Sequence, residues 1–366
     1  MNSIVDSFVH SFSHLGYSMD FMLSFIIILS GVVIFTIMAV NTLFAVYFER
    51  KVSAFMQDRL GPMEVGIFGF KGGKKFWGGI GQIIADGLKL LTKEDILPNN
   101  SDKLLMIMAP FIIFSGALLT FVAIPFSDGL VVSDFNIGIF YIIAMSSVGV
   151  IGIILAGWSS NNKWSLYGGM RAAAQIVSYE IPIGLSLLLI VLVAGSLHLG
   201  EIVQWQADHR WFILHSPFSF IAFFIYFIST VAETNRTPFD IPEAESELVA
   251  GWMTEYSGFR WSLFFLSEYA NMLIVSLVAS IVFLGGWLSP FQIINIFPTS
   301  WLIFDGPIIG LFWLLLKAAL LIFVMMWFRW TFPRLRVDQL MYLCWKIFIP
   351  FALANLFFIS LWELIF

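Results

Sequence analysis

Runs of about 20 consecutive apolar residues recur along almost the whole chain and constrain its fold more than any other feature. A helix of that length crosses roughly 30 Å of hydrocarbon, and a spanning segment must satisfy its own backbone hydrogen bonds. The 366 residues are 59% hydrophobic and only 12% charged, which excludes an ordinary soluble domain. We therefore predict an all-α integral membrane protein that forms a single polytopic domain over residues 1–366.

The apolar runs predict a bundle of about eight transmembrane helices. They lie at residues 21–48, 104–124, 137–157, 176–197, 211–232, 262–288, 307–328 and 345–365. With these spans, 17 of the 19 Lys and Arg residues fall on one side of the membrane, Arg210 falls on the other side, and Lys317 falls inside a span. The positive-inside rule assigns the basic side to the cytoplasm. We expect both termini on the outside, and the protein in a bacterial inner membrane.

Three inside loops carry most of the polar residues: the first inside loop, residues 49–103, the second inside loop, residues 158–180, and the acidic loop, residues 233–261. An inside turn holds Arg334 and Arg336, which could bind acidic loop residues, lipid headgroups or a partner protein. In the first loop, Ile84, Leu88 and Leu91 share one helical face, whereas Asp86 and Lys89 lie off it. This pattern predicts an amphipathic helix along the membrane surface. Anchoring to the membrane would by itself explain such a helix.

The acidic loop concentrates carboxylates between two apolar runs. Its residues 232–258 contain one base, Arg236, and the acids Glu233, Asp240, Glu243, Glu245, Glu247 and Glu255. Carboxylates held close together in dry surroundings cannot all ionise cheaply, so we expect raised pKa values and coupled titration. A helix start at Asp240 with Glu243 reaching back would explain two acids but not Glu247, which repels Glu243 from the same face. Proton handling is the predicted use.

Further charges lie inside predicted spans: Glu180 in the fourth, Glu268 in the sixth and Lys317 in the seventh. Ionisable groups at membrane depth are rare and mark proton relays or buried ion pairs. Two structural alternatives remain open at this point. Arg171 or Lys163 could neutralise Glu180, and Glu268 could pair with Lys317.

The chain offers few ligands for a redox centre of its own. It has one cysteine, Cys344, and five histidines, which excludes disulfides and an iron–sulfur cluster held by this chain alone, and leaves no facing pair of histidines for haem. The glycine-rich stretch GGKKFWGGIGQ lacks the spacing of a phosphate-binding loop. We expect no metal, no flavin and no nucleic acid to bind this chain.

Five long segments carry a resemblance to a known family. They are ERKVSAFMQDRLGP, ADGLKLLTKEDILP, GWSSNNKWSLYGGMRAAAQIVSYEIP, AETNRTPFDIPEAESELVAGWMTEYSG and RWTFPRLRVDQLMYLCWK. In order and spacing they closely resemble the H subunit of respiratory complex I, which is the quinone-site membrane subunit of the proton-pumping NADH:quinone oxidoreductase. The resemblance extends from about residue 49 to the C-terminus.

The resemblance implies a non-redox subunit of a translocase, with ubiquinone or menaquinone as the substrate. The chain would form the mouth and wall of the quinone tunnel and couple quinone reduction to proton translocation. Its partners would be the peripheral-arm quinone and iron–sulfur subunits, small membrane subunits and membrane lipid. By the same resemblance, the tunnel lining and arm contacts comprise Arg50, Arg59, Asp86, Arg236 and Arg334. The acids that lead toward the antiporter-like subunits comprise Glu180, Asp240, Glu243, Glu245, Glu247, Glu255 and Glu268, and the buried Lys317 completes the predicted set for proton coupling.

Three other classes of protein share parts of this pattern. A subunit of a membrane-bound hydrogenase shares the fold and has similar loops, and its copurifying neighbours would distinguish it. A secondary ion transporter also has buried charges, but it is expected to show an inverted repeat, which the sequence lacks. A purely structural anchor would need inside loops but no acids within its spans.

Overall fold

The computed structural model describes residues 19–66, 78–242, 245–291 and 306–365, without the side chains of residues 19–23, 26, 245 and 246. These residues form helices, and no β-strand occurs among them. The helices are α1 Met19–Met56, α2 Gly81–Thr92, α3 Lys103–Val122, α4 Gly138–Ser159, α5 Lys163–Ala194, α6 Leu199–Asp208, α7 Phe212–His215, α8 Pro217–Glu233, α9 Glu245–Leu248, α10 Gly258–Phe283, α11 Pro307–Thr331, α12 Val337–Tyr342 and α13 Ile349–Ile365. A 3₁₀ turn, Gly251–Met253, precedes α10, and a π-helical turn, Leu343–Phe348, joins α12 to α13.

Seven of the described helical segments are long and apolar enough to cross a membrane. They are α1, α3, α4, α5, α10, α11 and the continuous segment from α12 to α13. The predicted all-α membrane bundle is thereby confirmed. The predicted fifth span differs, because the chain breaks at Ser216, whose side chain caps α8, and Pro217 occupies the first turn. The remaining helix α8 has 17 residues, about 26 Å at 1.5 Å per residue, near the lower limit for a crossing.

The centre of the bundle is α10, most of whose residues are buried. It packs on α1, α2, α3 and α11, whereas α3, α4, α5 and α8 form a series of neighbouring pairs around it. Glycines allow the close crossings within that series. A Cβ on Gly157 would lie 3.3 Å from the Cα of Gly169, so α4 and α5 meet backbone to backbone.

The predicted amphipathic helix is α2, and its apolar stripe faces away from the rest of the chain. Ile84, Leu88 and Leu91 are 53%, 56% and 62% exposed. The opposite side of α2 covers α1 and α10. This arrangement creates the groove described next.

Candidate functional site

A mostly apolar groove of about 290 Å³ lies where α2 covers α1 and α10. Helix α1 contributes Leu43 and Val46, α2 contributes Ile83, and α10 contributes Trp261 and Phe265. A cavity lined by aliphatic and aromatic side chains with a few polar groups suits an apolar ligand that is held in register by those groups.

The polar side chains of the groove include Arg50, Gln82 and Asp86. The guanidinium of Arg50 donates to the Asp86 carboxylate at 2.5 Å, and the Gln82 amide donates to its other oxygen at 2.8 Å. The Arg50 side chain is 48% exposed, so the pair stabilises the fold by about 1 kcal/mol at most. Two of the predicted tunnel residues, Arg50 and Asp86, are therefore neighbours, and both line the groove.

A buried charge cluster lies beside the groove, and its Tyr269 follows the lining residue Phe265 by one turn of α10. The carboxylate of Glu49, 5% exposed, accepts hydrogen bonds from Arg236 at 3.2 Å, from Tyr269 at 2.5 Å and from Arg329. The guanidinium of Arg236 also lies over the Tyr269 ring, 4.4 Å from its centroid. Burial alone disfavours the charged form of Arg236, but Glu49, Tyr269 and Glu268 together outweigh that cost and keep the pKa of Arg236 above its ordinary value.

The groove and this cluster are connected by direct contacts. The ring of Phe265, which lines the groove, packs on Tyr269 with centroids 4.9 Å apart. Glu49 and Arg50 are adjacent on α1, one facing the cluster and the other the groove. The Arg236 guanidinium lies within electrostatic range of Glu268. Charge placed in the groove would therefore act on a network that reaches Arg236 in the acidic loop.

The first part of the acidic loop is fixed by α5 and by the turn after α11. The Gln175 amide donates to the carbonyls of Ala232 and Phe239 at 2.7 and 2.8 Å. The Arg334 guanidinium donates to Asp240 at 3.1 Å. Asp240 thus has an ion-pair partner, and the described helix in this loop is α9, Glu245–Leu248. The expected cap joins Asp240 to Glu243, which lies outside the described residues, so it stays a prediction.

Two acids face each other between α5 and α8. Glu180 accepts a hydrogen bond from the Ser147 hydroxyl of α4, and Glu233 interacts with Ser146 and with the Glu180 carboxyl group. The alternative in which Arg171 neutralises Glu180 is wrong, because Arg171 pairs with another acid.

The remaining described acids of the loop have partners of their own. Glu247 accepts from Arg171 at 2.7 Å, and Glu255 accepts from the Asn162 amide at 2.7 Å. The Glu245 side chain lies outside the described residues. The sequence predicted several acids around a single base. That prediction is wrong, because α5 and the turn after α11 supply two further bases, Arg171 and Arg334, which pair with acids of the loop.

Lys317 and Arg59 lie apart from these clusters. The Lys317 ammonium donates to the carbonyls of residues 284, 286 and 288 at 2.7, 2.9 and 2.7 Å, at the end of α10, and it stacks on Trp211. No ion pair between Lys317 and Glu268 occurs in the described part of the chain, so the pairing alternative is wrong. Arg59 is exposed after α1 and contacts Gln57.

Three residues of the charge cluster were missed by sequence reasoning: Glu49, Tyr269 and Arg329. One signal was present, because Glu49 is an acid at the end of an apolar run next to Arg50 and Lys51. Over the described ranges, no group of three or more His, Cys, Asp or Glu residues has the arrangement of a metal site.

Comparisons with known proteins agree with this architecture. The family model described as NADH dehydrogenase matches residues 29–360. The H subunit of NADH-quinone oxidoreductase from Chlorobaculum tepidum is 48% identical over 353 residues, 95% of both chains. The protein of the same name from Chlorobaculum parvum is 50% identical over 325 residues, 88% of both chains. That from Bacteroides thetaiotaomicron is 47% identical over 328 residues, 89% of this chain and 87% of the relative. The chain therefore belongs to the family of NADH-quinone oxidoreductase H subunits, which are membrane subunits of complex I.

Proposed function

We propose that this membrane subunit forms the mouth and wall of the quinone tunnel and couples quinone reduction to proton translocation. The substrate would be a long-tailed ubiquinone or menaquinone. Reduction to the quinol consumes two electrons and two protons. The electrons would come from partner subunits of the peripheral arm, since this chain is expected to hold no redox centre.

The apolar groove supports the first half of the proposal. Its walls from α1, α2 and α10 are suited to an isoprenoid tail, which has no groups that would satisfy buried polar atoms. Arg50 and Asp86 provide the polar contacts at the same groove. The exposed stripe of α2 would lie against lipid or a partner subunit, so a lipid-soluble substrate would reach the groove from the membrane.

The contact path from the groove to the acidic loop carries the second half. It runs from Phe265 through Tyr269 and Glu49 to Arg236, and the loop that holds Arg236 begins directly after Glu233. A negative charge that forms transiently beside this path would compete with Glu49 for the arginines. A neighbouring charge within about 4–6 Å shifts proton affinity by one to three pKa units, roughly 1.4–4 kcal/mol. That energy suffices to bias a two-state loop.

The proposed path assigns different roles to the predicted coupling residues. Glu180 and Glu233 would relay protons, since they face each other and serine hydroxyls. Asp240, Glu247 and Glu255 would hold or release the acidic loop through their partners, and Glu243 and Glu245 would act in the same loop. Both termini would lie outside a bacterial inner membrane, as the distribution of basic residues indicates.

Gly87 provides a test of the groove. It lies on the α2 wall, and a Cβ there would remain 4.0 Å from Leu43, so Gly87→Ala fits whereas the ring of Gly87→Phe enters the groove. In the purified complex, we expect Gly87→Phe to raise KM for a long-tailed quinone while Gly87→Ala behaves as the wild type. Equal KM values for all three proteins, in fully assembled complex, would contradict the proposed function.

A further inference from the structure

The segment that follows α2 is tied to the first turn of α10 by five hydrogen bonds. The guanidinium of Arg260 donates from Nε to both carboxylate oxygens of Asp95 at 2.9 and 2.7 Å, and from Nη2 at 2.5 Å. The Ser257 hydroxyl accepts from the Ile96 amide at 3.0 Å and donates to the Glu94 carbonyl at 3.2 Å. We call this set of contacts the α2–α10 clamp.

The clamp has the properties of a fixed joint. The Arg260 side chain is only 6% exposed, and its planar fork allows one orientation toward the carboxylate. Gly258 has φ +59°, and a Cβ there would lie 2.9 Å from the Lys93 carbonyl oxygen. Backbone contact and a bidentate ion pair therefore fix the same two segments.

The position of the clamp connects it to the groove. Arg260 immediately precedes Trp261 on the α10 wall, and Asp95 follows Leu90 on the α2 wall by five residues. The other end of α2 is held near its start, where a Cβ on Gly81 would overlap the Gly66 carbonyl. Helix α2 is thus fixed at both ends, and the clamp sets its distance from α10 at the C-terminal end.

We propose that the Asp95–Arg260 pair is a positioning and specificity-determining element that sets the width of the groove for the tail of the quinone. This inference rests on the proposed function and adds a role for residues that lie outside the groove. Neither Asp95 nor Arg260 is among the residues that line the groove. Loss of the Asp95–Arg260 ion pair should weaken quinone binding in proportion to the length of tail that occupies the groove.

The test compares a long-tailed with a short-tailed quinone in the purified complex. The Asp95 side chain is 43% exposed, so Asp95→Asn is expected to assemble. It should raise KM for the long-tailed quinone by about tenfold, below the 10²-fold that a 1 Å misplacement can cost at a reacting centre. KM for the short-tailed quinone and kcat for both should stay at wild-type values. The exchange Asp95→Arg with Arg260→Asp should restore part of the loss, and Lys93→Gln, which removes an exposed charge nearby, is the matched control.

The outcomes separate the clamp from the groove. Unchanged KM values in Asp95→Asn, or equal changes for both quinones, would overturn the role of the clamp. If Gly87→Phe also leaves the KM for the long-tailed quinone unchanged, the proposed function itself fails. If Gly87→Phe raises that KM and Asp95→Asn does not, only the clamp is refuted.

Discussion

Replacing Glu49 by glutamine would remove the carboxylate on which the buried charge cluster depends. Glu49 accepts from Arg236 and Arg329, whose side chains are 7% and 35% exposed. Breaking a buried pair by removing one partner costs about 3–5 kcal/mol. Arg329 is exposed enough to turn toward solvent, and Glu268 lies near Arg236 and can partly replace Glu49. The loss of stability should therefore lie at the lower end of this range, at about 3 kcal/mol. We therefore expect Glu49→Gln to lower stability through Arg236 above all.

The assay is the apparent melting temperature of the purified complex, together with the amount of assembled complex in membranes. A loss of about 3 kcal/mol should lower that temperature by about 5 °C, with allowance for a chain larger than the domains on which the scaling is based. Glu64→Gln changes an exposed acid in the same inside loop and should stay within about 1 °C of the wild type. Tyr269→Phe removes one of the bonds to Glu49, so its effect should not add fully to that of Glu49→Gln. Equal melting temperatures for Glu49→Gln and Glu64→Gln would refute the reasoning.

Three further predictions concern charged residues outside this cluster. Lys317→Met should lower stability because three backbone carbonyls lose a donor, whereas Lys317→Arg should retain most of the wild-type stability. A normal melting temperature of Lys317→Met together with lost proton pumping would instead assign Lys317 to the proton relay. Arg334→Gln and Asp240→Asn should each lower quinone reductase activity, and the double variant should be no worse than either, as a double-mutant cycle would measure. Glu247→Gln should change stability by less than about 1 kcal/mol because its side chain is 60% exposed, yet it should lower quinone reductase activity, as should Glu245→Gln. Full activity with unimpaired pumping would remove these two acids from the coupling path.

The fold could be predicted because each transmembrane helix is encoded locally. Apolar length gives the spans, and the period of Ile84, Leu88 and Leu91 gives the exposed stripe of α2. The fifth span was predicted too long, since apolarity does not register the break that Ser216 and Pro217 impose.

The partners of most charged residues could not be predicted, because they come from distant parts of the chain. Binding of the inside turn of Arg334 to the acidic loop was among the expected contacts. Arg171 and Arg334 reach the acidic loop from α5 and from the turn after α11, so counting bases within the loop overstated the crowding of its acids. Glu49 meets Arg236 across 187 positions of sequence. Lys317 is satisfied by backbone carbonyls, which carry no signal in the pattern of charged residues.

The most direct test of the central claim is photolabelling of the assembled complex with a quinone that carries its photoreactive group on the tail. The proposed groove predicts labelled peptides from α1, from α2 and from the start of α10, with labelling lost in Gly87→Phe and retained in Gly87→Ala. Labelling confined to helices other than these three, or unchanged by Gly87→Phe, would contradict it.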